Sequence, residues 1–122
     1  MDAGSTDWYR EAAEAVLRPL GDAESHFDSA YSHREKTVLS EACERLRSTA
    51  RQAESWSARH PCPSPDTAFH LRDRIKACSR LVEVVSAVPV RPDLADRVDF
   101  QVADLQHRLL WHRDAIATWA AE

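Results

Sequence analysis

Residues 64–88 read SPDTAFHLRDRIKACSRLVEVVSAV, and the spacing of their apolar side chains decides the fold. Ala68, Leu71, Ile75, Cys78, Val82 and Val85 step by three and four residues, while Ala77, Leu81, Val84 and Val88 form a second row beside them. Together the rows cover about half of a helix circumference, whereas a surface helix usually meets its core with an arc only somewhat above ~100°. A helix that apolar must be flanked on more than one side, by other helices of its own chain or by another chain.

Proline marks both ends of this stretch. In His60-Pro61-Cys62-Pro63-Ser64-Pro65 the prolines cannot continue a helix, and Ser64 with Pro65 reads as an N-cap and a first helical residue. Pro89-Val90-Arg91-Pro92 closes the other end and opens a last helix. That helix carries a core stripe of Val98, Val102, Leu105, Leu109, His112, Ile116 and Trp119, and a second apolar set, Phe100, Ala103, His107, Leu110 and Trp111, on its reverse side.

Upstream, Leu39, Ala42, Leu46, Thr49, Ala53 and Trp56 keep three-four spacing in the longest helix. The Ser5-Thr6-Asp7 cluster offers side-chain oxygens to start a first helix, Pro19 disturbs its last turn, and Gly21-Asp22 reads as a stop and restart. The prediction is an all-α single domain over residues 1–122, with helices at about 6–20, 23–59, 65–88 and 92–120. Short connections make neighbours antiparallel, giving an up-down-up-down four-helix bundle with a short first helix. This topology gathers Trp8, Trp56 and Trp119 at one pole.

Composition narrows the function classes. Only two glycines occur in 122 residues, and no alternating strand pattern or hairpin dipeptide is present. The net charge of −4 argues against a general nucleic-acid binder, and Arg45, Arg47, Arg51 and Arg59 spread around their helix instead of forming a phosphate-binding stripe. No apolar run is long enough to span a bilayer and no signal-peptide pattern opens the chain, so a cytoplasmic protein is expected. Arginine outnumbers lysine fourteen to two, a bias that points to a GC-rich bacterial genome. Cys43, Cys62 and Cys78 are odd in number and form no Cys-x-x-Cys pair, so buried free thiols are expected.

Motifs for chemistry are sparse. There is no phosphate loop, nucleophile elbow or His-Glu-x-x-His, and no cofactor is implied. Asp104 and His107 give one imperfect copy of the carboxylate-histidine motif that di-iron bundles need twice, which excludes that class. His112 lies inside the core stripe, and antiparallel packing of the last two helices sets His70 at the same height. With His60 and Cys62 in the adjacent loop, these residues are the candidate set for an alternative reading, a metal- or small-ligand-binding bundle acting as an enzyme or sensor. The first expectation is a non-enzymatic interaction or adaptor module. It would dock a partner chain, or itself as a homo-oligomer, through Leu81, Val84, Phe100, His107, Leu110 and Trp111.

Overall fold

The computed structural model describes residues 3–33, 35–86 and 95–121 of the chain. Its first helix, α1, occupies residues 3–33 as an α-helix over Ala3–Ala12, a π-helical turn over Ala13–Leu17 and an α-helix over Arg18–His33. Three further helices follow: α2 over Lys36–Arg59, α3 over Pro65–Ser86 and α4 over Ala95–Ala121. The bundle is all-α and four-helical, as the sequence predicts, with the first boundary in a different place.

The break expected at Gly21 does not exist, and α1 is not a short helix. Its buried stripe of Trp8, Ala12, Val16, Leu20, Ala23, Phe27 and Ala30 runs through that position unbroken. Successive steps of four residues would rotate a stripe by about 40° each around a regular α-helix. The π turn uses one extra residue and takes that drift out, with the Arg18 N–H bonding to the Ala13 carbonyl five residues back. Pro19 explains its location, because the proline ring crowds the carbonyl four residues before it and a wide turn relieves the clash. Gly21 is therefore an interior helical residue.

The chain turns at Glu35 instead. This residue is extended (φ −83, ψ 117), and its carboxylate accepts hydrogen bonds from the backbone N–H groups of Thr37 at 3.2 Å and Val38 at 2.8 Å, capping α2. Ser64 caps α3 as expected, its Oγ accepting from the Thr67 N–H at 3.3 Å. The Pro89-Val90-Arg91-Pro92 break and the expected start of the last helix at 92 lie outside the described residues.

Aromatic contacts fix the helix directions. Trp8 at the start of α1 lies 5.9 Å from both Trp56 near the end of α2 and Trp119 near the end of α4, so the tryptophans meet at one pole. At the other pole Tyr31 of α1 bonds Asp99 of α4. Neighbours are antiparallel, α3 packs between α2 and α4, and side-chain bonds such as Gln106 to Asp28 at 2.8 Å link α4 to α1.

This arrangement settles the wide apolar face of α3 internally. Leu81 and Val84, expected at a partner surface, are 0% and 6% exposed. Helices on both sides of α3 cover the described residues of its two apolar rows, so neither residue is available to another chain. Among the described residues, no helix is long and apolar enough to cross a membrane.

Candidate functional site

Two features of α3 and α4 stand out, one on the outer surface and one beneath it. The reverse side of α4 is uncovered: Phe100 is 81% exposed, Trp111 57% and Leu110 50%, with Ala103 and His107 exposed between them. Phe100, Ala103, His107 and Leu110 step by three, four and three residues, the spacing of a coiled-coil seam. α1 does not fold over this face, because it packs along α2 and reaches α4 on the side of Asp28 and Trp8. Phe69, in the first turns of α3, adds a further exposed ring near one end, 5.5 Å from His70.

Beneath this face, His70 and His112 meet as their heights predict. Their Nδ1 atoms are 2.9 Å apart, and the Nε2 of His112 lies 2.5 Å from Asp73 Oδ2. The same carboxylate oxygen accepts from Arg108 Nη2 at 2.9 Å. His112 is fully buried and His70 partly so, with Trp111 edge-on to the His70 ring at 5.0 Å. Burial pushes the Asp73 carboxyl up, but the hydrogen bonds from Arg108 and His112, with the Arg108 charge, outweigh it and hold the group below its ordinary value. A chain of contacts thus runs Arg108–Asp73–His112–His70, from an ionised carboxylate to a half-buried imidazole.

The other two members of the expected ligand set do not join it. His60 stacks on Trp56 at 4.4 Å with its Nδ1 2.9 Å from the Trp56 carbonyl, and Cys62 sits beside it in the loop. Both line a groove of about 810 Å³ along α2 and α3, which Asp73 and Arg108 also border. Among the described residues, no three His, Cys, Asp or Glu side chains converge as metal ligands, so the set His60, Cys62, His70 and His112 is not assembled. Burial raises the thiol pKa of Cys43, Cys62 and, most strongly, Cys78, which disfavours the thiolate in each.

A second polar group lies at the centre of the bundle. The Glu24 carboxylate of α1 accepts from Arg74 of α3, through Nε at 3.1 Å and Nη2 at 2.5 Å, and from Arg113 of α4 at 2.7 Å. Glu24 and Arg74 are almost fully buried, so this bridge ties three helices together across the core. Sequence reasoning missed both Glu24 and Asp73. Glu24 occupies a position of the α1 stripe that becomes visible only once the helix is known to continue past Gly21. Asp73, one turn after His70, is signalled by that spacing alone.

Comparison of the chain with protein families, curated proteins and solved structures finds no match. Function must therefore be argued from this geometry.

Proposed function

We propose that this chain is a docking module whose outer α4 face receives an amphipathic helix of another protein. The observation that carries the reading is the uncovered seam of Phe100, Ala103, His107, Leu110 and Trp111 on a helix whose other side is fully packed. Large apolar side chains contiguous over three turns are costly to leave in water, and aromatic residues of this kind anchor interfaces.

The charges around the seam support a basic partner. Arg108 and Arg113 beside it are occupied by Asp73 and Glu24, whereas Asp104 and Asp114 carry no ion pair among the described residues. Along most of its length the face therefore has an acidic rim, with Arg97 the exception one turn before Phe100. It suits a helix with apolar anchors at three-four spacing and basic residues on the flanks. A second copy of the chain is a poorer occupant. The antiparallel register that would lay Phe100 against Leu110 is centred on Leu105, so the two Asp104 carboxylates fall on the same flank, offset by only ~3 Å along the helix axis.

The test uses a labelled helical peptide with leucine at the seam positions and lysine on both flanks, followed by fluorescence polarisation. It should bind, and Phe100→Ala and Trp111→Ala should each weaken binding about tenfold or more. A matched peptide with glutamate flanks should bind far more weakly. Equal binding of the two peptides, or no loss in either variant, overturns the proposal. A dimer that light scattering detects and Trp111→Ala dissolves would assign the face to a second copy instead.

A further inference from the structure

We propose that His70 is a nucleophilic imidazole that accepts an acyl group at Nε2, with His112 and Asp73 as the positioning residues behind it. This site lies beneath the docking face and shares Trp111 with it, but it rests on contacts the docking reading does not use.

Proton accounting along the chain of contacts supports it. Asp73 is ionised and can only accept, so the hydrogen between it and His112 sits on His112 Nε2. With His112 in its neutral form that is its only N–H, and its Nδ1 accepts. The hydrogen between the two imidazole nitrogens, 2.9 Å apart, then comes from His70 Nδ1. His70 is thereby held as the Nδ1–H tautomer, with its lone pair on Nε2. Among the described residues that Nε2 has no partner, and it is not one of the buried atoms left without one, so it is open to solvent.

The arrangement is the acid-base-nucleophile logic of a hydrolytic triad with an imidazole in the place of the hydroxyl. The Nε2 lone pair attacks the carbonyl carbon of an activated ester or anhydride, and the bond from that carbon to the leaving oxygen breaks, releasing the oxygen with its electron pair. The acylated ring would carry a positive charge, which is relieved when the Nδ1 proton passes to His112 Nδ1. The resulting imidazolium is paired with the Asp73 carboxylate. Water then adds to the acyl carbon, Nε2 departs with the bonding pair and His112 returns the proton to Nδ1; of the two water protons, one goes to the leaving-group oxygen released earlier and the other leaves the carboxylic acid for solvent.

The surroundings select an uncharged acyl donor over a phosphoryl donor. Phe69 and Trp111 present ring edges to His70 at 5.5 and 5.0 Å. The nearby cation, Arg108, is bound to Asp73.

Diethyl pyrocarbonate is the probe, with ethoxycarbonylation of each histidine followed by peptide mass spectrometry at neutral pH. Exposure alone would make the solvent-exposed His107 react before the half-buried His70. The proposal requires the reverse order, His70 faster by about tenfold or more. In His112→Gln the amide oxygen still accepts from Nδ1 but cannot take up the proton; in Asp73→Asn the charge is lost. Both changes should slow His70 by a similar factor and leave His107 unchanged, circular dichroism confirming that the variants are folded. Nitrogen-15 spectra of the unaltered protein give a readout independent of any variant, and should show His70 as the Nδ1–H tautomer. An Nε2–H tautomer at His70, or a His70 rate no greater than that of His107, overturns the proposal.

Discussion

Asp73 illustrates how a single carboxylate on α3 can report on the packing of α4. Its folded-state pKa lies below the ordinary 3.8, because the hydrogen bonds from Arg108 and His112 more than offset the effect of burial. A lowered carboxylate contributes stability that is fully present above its unfolded pKa and is lost as pH falls through its folded value. Asp28 works in the opposite sense: burial and the neighbouring Glu24 charge raise it, against hydrogen bonding from Gln106 and the charge of Arg113, so it cannot supply that loss. Asp73→Asn should therefore flatten the stability curve below about pH 4, measured by urea unfolding at a series of pH values. An unchanged acid limb would mean that the Arg108–Asp73–His112 contacts carry no net energy. Gly21 gives a prediction of opposite sign. A Cβ at this position would meet Arg74 Nη2 at an ordinary 3.9 Å, and glycine inside a helix costs about 0.5–1 kcal/mol relative to alanine. Gly21→Ala should raise stability by about that amount in denaturant unfolding; a loss would place the helix break back at Gly21.

Among the elements, α1 is the one that sequence patterns placed least well, and the reason is physical. Pro19 and Gly21 two residues apart are ordinary signs of a helix end, yet the π turn over Ala13–Leu17 absorbs the proline and the apolar stripe continues past the glycine. Nothing in local propensity distinguishes a proline that ends a helix from one preceded by a wide turn. The periodicity of α3 and α4 was legible because prolines flank α3 and precede α4, and both carry long apolar rows. The meeting of His70 with His112 followed from helix rise and antiparallel direction alone. Leu81 and Val84 show the limit of that reasoning: periodicity reveals how much surface a helix must bury, and only the packing of its neighbours reveals that α3 buries all of it within one chain. The buried Glu24 bridge joins α1, α3 and α4, so its loss should be felt by the whole bundle. Removing one partner of a buried pair leaves an uncompensated charge and typically costs about 3–5 kcal/mol. Glu24→Gln, which keeps shape and removes charge, should lower stability on that scale in urea or thermal unfolding. A change below about 1 kcal/mol would show that Arg74 finds another partner or water.

For the whole molecule, the division of labour is between a sealed interior and one exposed helix face. The tryptophan pole and the apolar rows of α3 are consumed by folding, whereas Phe100, Leu110 and Trp111 keep half or more of their surface in water. An acidic rim beside that seam, with its adjacent arginines already paired inward, is what a basic amphipathic helix would recognise. The most direct test maps the contact residue by residue, by titrating the lysine-flanked amphipathic peptide into nitrogen-15-labelled protein and following amide shifts. The account predicts saturable changes concentrated on residues 100–114 of α4 and around Phe69, with α2 unmoved. Changes centred on the groove between α2 and α3, or none at peptide concentrations that saturate related helix-in-groove complexes, would contradict it.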